Sequence, residues 1–143
     1  MSPRAIVWPV VAMVALTFVV SRLLYRRRIG EIRAKRIPPQ SLATSTAMAA
    51  RLEDVTAADN YRNLLEAPVL FYVAAVLAAV FGAVDAAIVA LAWAYVGCRV
   101  AHSVIHCTYN RVVHRLGAFL ASHAVLFALW VVLAWRLAFD GKG

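Results

Sequence analysis

Four stretches of the chain are almost free of charge, running from Ala5 to Leu24, from Asn63 to Gly82, from Val84 to about Tyr109 and from Val113 to Phe139. A soluble helix carries one apolar stripe repeating about every 3.6 residues. Here the runs stay apolar all round for sixteen residues or more, about enough to cross a hydrocarbon core. The pattern predicts an all-α membrane protein, a four-transmembrane-helix bundle. Its spans are expected over about 5–24, 63–82, 84–109 and 113–139, forming one domain over 1–143 with a connecting loop over 25–62.

Residues between the runs set their ends. The first run leads into Ser21, Arg22 and then Arg26 to Arg28 rather than into a small-residue cleavage site, so it reads as an uncleaved span. Gly82-Ala83-Val84-Asp85 predicts a tight turn, with Asp85 at the partly positive N-terminus of the third helix. Asn110 and Arg111 predict a second short turn, which makes the last two helices antiparallel neighbours. Pro38-Pro39 breaks any helix begun by the basic run, and Thr56 with Asp59 resembles a capping box ahead of the second span. Pro9 and Pro68 lie inside apolar runs, where neighbouring helices tolerate them.

Composition agrees with a lipid environment: 64% of the 143 residues are hydrophobic and 15% charged, against roughly 45–50% apolar in soluble domains. The net charge of +8 would suggest nucleic acid in a soluble protein. Here the basic residues flank spans, and no aromatic residues interleave with them as a base-stacking surface requires, so no nucleic-acid partner is expected. Nine of them, Arg22, Arg26, Arg27, Arg28, Arg33, Lys35, Arg36, Arg51 and Arg62, lie in one connection, and Arg111 and Arg115 lie in the other connection on the same side. The positive-inside rule then places both basic loops in the cytoplasm and both termini opposite. Cys98 and Cys107, nine residues apart on one helix, face opposite ways and cannot bridge each other.

Polar residues inside the spans carry the candidate chemistry. Tyr95, Arg99, His102, His106 and Tyr109 recur at four, three, four and three residues, which lays them along one stripe of the third helix. Ionisable groups in a span face the bundle or water, so the stripe is a candidate functional face. Asn63 and Glu66 share a face at the start of the second span, and Arg115 opens the fourth, so three helices bring polar groups to one level. One reading of these residues is structural: Glu66 pairs with Arg99 or Arg62 and the histidines satisfy buried hydrogen bonds, gluing the bundle. A metal reading has His102 and His106 four residues apart with Glu66, but lacks a fourth ligand, and no metal is expected.

Two segments, Arg62-Asn63-Leu64-Leu65-Glu66-Ala67-Pro68 and Gly97-Cys98-Arg99-Val100-Ala101-His102-Ser103, resemble the MAPEG family, the membrane-associated proteins in eicosanoid and glutathione metabolism. The resemblance extends over all four spans and is of a bacterial type, which implies a bacterial inner membrane. It further implies a homotrimer that binds glutathione near the cytoplasmic face and transfers it to lipophilic small molecules or reduces lipid peroxides. By position, Arg62, Asn63, Glu66, Arg99, His102 and His106 would hold glutathione, and Arg115 would stand at its thiol. Arginine suits the two carboxylates of glutathione, Glu66 its ammonium, and a cation at the thiol raises the thiolate fraction. The small residues Ala74, Ala75, Ala78 and Ala79 would permit close helix approach at the trimer contact.

Several pocket positions depart from the family pattern. Asp59 stands where glutathione-using members resemble one another in carrying arginine, His106 stands where tyrosine is usual, and Leu116 and Phe119 replace hydroxyl residues. Two functions from different classes therefore stay open: a glutathione-dependent transferase or peroxidase, and a non-catalytic membrane protein whose polar stripe stabilises helix packing.

Overall fold

The computed structural model describes residues 2–139. Its four long apolar helices are each of a length and composition to cross a membrane. A short 3-10 turn, Pro3–Ile6, leads into α1 (Val7–Ala34). Pro9 costs that helix nothing, because it sits in the first turn, where backbone N–H groups have no intrahelical acceptor. The helix carries on well beyond Leu24, through the arginines expected to form a loop. Arginine is a good helix former, and no proline intervenes before Pro38. Arg36, at φ 51, takes the left-handed position usually given to glycine, and the Ile37 N–H closes on the Ile32 carbonyl at 3.0 Å.

The connection that follows is partly helical. It holds a 3-10 turn at Pro39–Leu42 and α2 (Ser45–Arg51), whose first turn is capped by Thr44 Oγ1 accepting from the Ala47 N–H at 3.1 Å. Glu31 holds this connection against α1 by accepting from Lys35 Nζ and the Glu53 N–H, both at 2.7 Å. The Glu31 carboxylate, and after it the Glu53 carboxylate 2.8 Å from Lys35 Nζ, raise the Lys35 pKa above its ordinary value.

The second span is two helices, α3 (Thr56–Glu66) and α4 (Val69–Val80), separated at Ala67-Pro68. Pro68 has no N–H to continue the ladder, so the segment bends there. Thr56 does not act as the expected capping residue. Asp54 Oδ1 accepts from its N–H at 3.2 Å and its hydroxyl at 2.8 Å instead.

Gly82, at φ 67, ends α4, with the Ala83 N–H on the Ala78 carbonyl at 2.9 Å. Asp85 then caps α5 (Ala86–Cys107), accepting from the Ile88 N–H at 2.8 Å, and pairs with Arg136 at 2.8 Å. The Ile88 N–H, and after it the Arg136 charge, hold the Asp85 carboxyl below its usual range. The last helix, α6 (Val112–Phe139), runs back along α5, and these two make the most extensive pairing in the bundle.

Met13, Val20, Leu64, Phe71, Ile88, Tyr95, Leu129 and Leu133 fill the core, with Phe71 and Tyr95 stacked at 4.8 Å. Trp8, Phe18, Val80, Phe127 and Trp135 stay exposed, which suits a surface solvated by lipid. Ala74, Ala75 and Ala78, expected at a subunit contact, are buried against the protomer's own helices. The outward face of α4 is formed by Val69, Leu70, Val73 and Val76.

Candidate functional site

Arg27 assembles the basic end of the bundle. Its guanidinium donates to the Cys107 carbonyl at 2.7 Å and to Thr56 Oγ1 at 3.1 Å, and pairs with Asp54 at 3.3 Å. The extended part of α1, the start of α3 and the end of α5 therefore meet at one level. A cation on the last carbonyls of a helix also complements its dipole.

At that level α3, α5 and α6 line an open cavity of about 400 Å³. Asp59, Arg62, Asn63 and Glu66 line it from α3, His102 and His106 from α5, and Val112, Arg115, Leu116 and Phe119 from α6. On a helix, positions 59, 62, 63 and 66 fall on one face, as do 102 and 106, so helical spacing delivers each set to the same wall. Six of the seven candidate site residues come together here: Arg62, Asn63, Glu66, His102, His106 and Arg115. Leu116 and Phe119 give the cavity an apolar side, where Phe119 packs on His123 at 4.0 Å.

Arg99 is the exception. It is fully buried, does not line the cavity, and pairs with Asn63 rather than with Glu66. One terminal nitrogen, Nη2, donates to Asn63 Oδ1 and lies 3.3 Å from the Asn63 carbonyl, while Nε and Nη1 have no hydrogen-bond partner among the described residues. Tyr109 also leaves the expected stripe, because α5 ends at Cys107 and the backbone turns at Thr108, which exposes its ring.

Beside the Arg99–Asn63 contact lies a polar layer that the spacing argument did not reach. Asn60 is fully buried, and its amide donates to Cys107 Sγ at 3.4 Å and accepts from Ser103 Oγ at 3.4 Å. The available signal was Asn60 itself, three residues before Asn63 and on the same face of α3.

Arg115 is the best-anchored charge of the cavity. Its Nη1 donates to Asn110 Oδ1 at 2.9 Å and to His106 Nε2 at 3.1 Å, while its backbone carbonyl meets His102 Nδ1 at 3.2 Å. Asn110 can offer that oxygen because it occupies the turn between α5 and α6 at φ 45, a conformation asparagine tolerates. Asp59, Arg62 and Glu66 form no ion pair among the described residues and are exposed on the protomer.

The arrangement can be compared with the groups of glutathione. Arg62 offers a cation to a carboxylate and Arg115 one to a thiolate, Glu66 or Asp59 offers an anion to an ammonium, and the volume lies within the roughly 300–1,000 Å³ of small-molecule sites. Buried His102 Nε2 is left without a partner, as a site awaiting a polar ligand would leave it. The residues present therefore fit a zwitterionic thiol peptide, with Asp59 a second acid at the rim.

Neither the curated proteins nor the solved structures contain a match to this chain. A protein-family model does match, over residues 6–135, which reaches into all four spans and takes in every residue of the cavity. The chain belongs to the MAPEG family, and so to the membrane proteins of glutathione and eicosanoid metabolism.

Proposed function

We propose that the protein is a glutathione-dependent transferase or peroxidase acting on lipophilic substrates, with its site in the cavity between α3, α5 and α6. The observation that carries this reading is the set of unpaired charges converging there, Arg62, Asp59 and Glu66, beside the anchored Arg115. Ions left unpaired within spanning helices are costly, and a zwitterionic ligand would offset that cost. In this reading Arg62 takes a carboxylate, Arg115 stands at the thiol, Glu66 takes the ammonium, and Asn63 contributes from the same wall. Glutathione would supply a nucleophilic sulfur, and Leu116 and Phe119 would receive an apolar second substrate arriving from the bilayer.

The reading includes a homotrimer with both basic connections in the cytoplasm. Support for assembly is the exposure of Asp59, Arg62 and Glu66 on a lone protomer, since a neighbouring subunit over them would keep charge away from lipid. The packing alternative is favoured for one part of the polar set, Asn60, Ser103 and Arg99, which bond between helices and do not themselves line the cavity.

Calorimetry of glutathione binding to purified protein in mild detergent tests the site. Saturable binding in the wild type that Arg115→Ala abolishes is the expected result, and no binding in the wild type would remove the reading. Mass measurement of the same preparation reports the subunit number, and labelling of Ser41→Cys from outside intact cells would overturn the orientation.

A further inference from the structure

His102 and His106 stand one turn apart on α5, their ring centroids 5.5 Å apart and their planes nearly perpendicular. Each uses one ring nitrogen on Arg115 and leaves the other buried without a partner. The two contacts differ in kind, and that difference fixes where the protons sit. His102 Nδ1 is 3.2 Å from the Arg115 carbonyl oxygen, which can only accept, so Nδ1 carries the proton and the Nε2 of the neutral ring carries the lone pair. His106 Nε2 is 3.1 Å from Arg115 Nη1, which can only donate, so in that ring Nδ1 carries the proton. The pair thus holds one unused acceptor, His102 Nε2, and one unused donor, His106 Nδ1–H.

We infer that His102 is the proton acceptor for a thiol bound in this cavity, its ring aimed by the backbone carbonyl of Arg115. The inference rests on the thiol-peptide reading of the site and adds to it a residue with a defined task. His102 is almost wholly buried yet lines the cavity, and with Nδ1 engaged, Nε2 is the nitrogen left for a ligand. A base held in one tautomer by a hydrogen bond on its far nitrogen is the arrangement that activates nucleophiles elsewhere.

In the step proposed, Nε2 takes the S–H proton. The S–H bond breaks, an N–H bond forms, and the electron pair stays on sulfur, where the Arg115 guanidinium balances it. Sulfur then bonds to the electron-poor carbon of a conjugated lipophilic carbonyl compound as its C=C π bond opens, and the imidazolium returns the proton to the adjacent carbon. His102 ends neutral, and no oxidant or reductant is consumed.

His102→Asn separates positioning from proton transfer, because its amide N–H can still meet the Arg115 carbonyl while no basic nitrogen remains. With His102→Asn saturated with glutathione, the expected result is loss of the ultraviolet thiolate band of the complex and conjugation about a hundredfold slower. A thiolate band of wild-type intensity in His102→Asn would overturn the inference while leaving the thiol-peptide reading in place. A second measurement needs neither a variant nor a ligand: long-range 1H–15N correlation on histidine-labelled wild type reads the tautomer directly. His102 protonated at Nδ1 alone is expected, and a ring protonated at Nε2 would overturn the acceptor assignment. Absence of glutathione binding in the wild type would instead sink the thiol-peptide reading, and the thiol step with it.

Discussion

The same two helices carry two polar regions of opposite character. On one face of α3 and α5, Asn60 bonds both Ser103 and Cys107, and Asn63 accepts from Arg99. On the adjoining face, Asp59, Arg62 and Glu66 line a cavity with the histidines and Arg115, and none of the three forms an ion pair among the described residues. Asn63 belongs to both, with its oxygen turned to Arg99 and its residue in the cavity wall. In lipid, a satisfied polar group acts as packing glue and an unsatisfied one needs a ligand or a neighbouring subunit. Mutations on the two sides should therefore separate stability from binding.

The largest stability loss is expected where the two regions touch. Asn63→Leu leaves the buried Arg99 guanidinium with little beyond a 3.3 Å contact to a backbone carbonyl, and about 3 kcal/mol should be lost. Replacing the charge itself sharpens the point: Arg99→Met in the Asn63→Leu background should recover much of the melting temperature, because an apolar side chain of similar length removes the uncompensated ion. Failure of that rescue would mean that Arg99 is not held chiefly by Asn63.

Next come Asn60→Ala and Ser103→Ala, each expected to cost about 1–2 kcal/mol by thermal unfolding and to leave ligand binding alone. Their double mutant should cost less than the sum, since both remove one shared hydrogen bond.

The opposite end supplies a contrast with Glu66, because Asp85 is an acid whose partners are present. Asp85→Ala should lower stability by about 1 kcal/mol through loss of the α5 cap. Its folded-state pKa is depressed, so the unfolded chain takes up the proton first on acidification. The Asp85 contribution is present above the unfolded carboxylate range and is lost as pH falls through the folded value. Melting curves of wild type and Asp85→Ala should converge in acid, and a constant gap would contradict the assignment.

Much of this was legible in the sequence, for physical reasons. Lipid demands long apolar helices, so four runs of sufficient length imply the four-helix fold. Helical spacing alone places Arg62, Asn63 and Glu66 beside one another, and His102 beside His106. What escaped depended on three-dimensional choices. The arginines of α1 read as a loop because charge marks the membrane edge but does not end a helix. Arg99 and Glu66 looked like partners because both are ionisable, yet the rotation of α5 presents Arg99 to Asn63. Ala74 and Ala78 looked like contact residues for another subunit, and their small size is used within the protomer instead. Asn60 falls within the connection expected over 25–62, ahead of the apolar run, so the pattern does not mark it for burial, although it is the most buried polar residue of α3.

The division between a closed polar layer and an open cavity is tested most directly by the shift in melting temperature that glutathione produces in wild type, Ser103→Ala and Glu66→Gln. A ligand bound only by the folded state adds about 2.7 kcal/mol at one hundred times its Kd. The account expects the same upward shift of several degrees in wild type and in Ser103→Ala, which starts lower, and little or no shift in Glu66→Gln, which starts level with wild type. No shift in wild type, or an equal shift in Glu66→Gln, would contradict it.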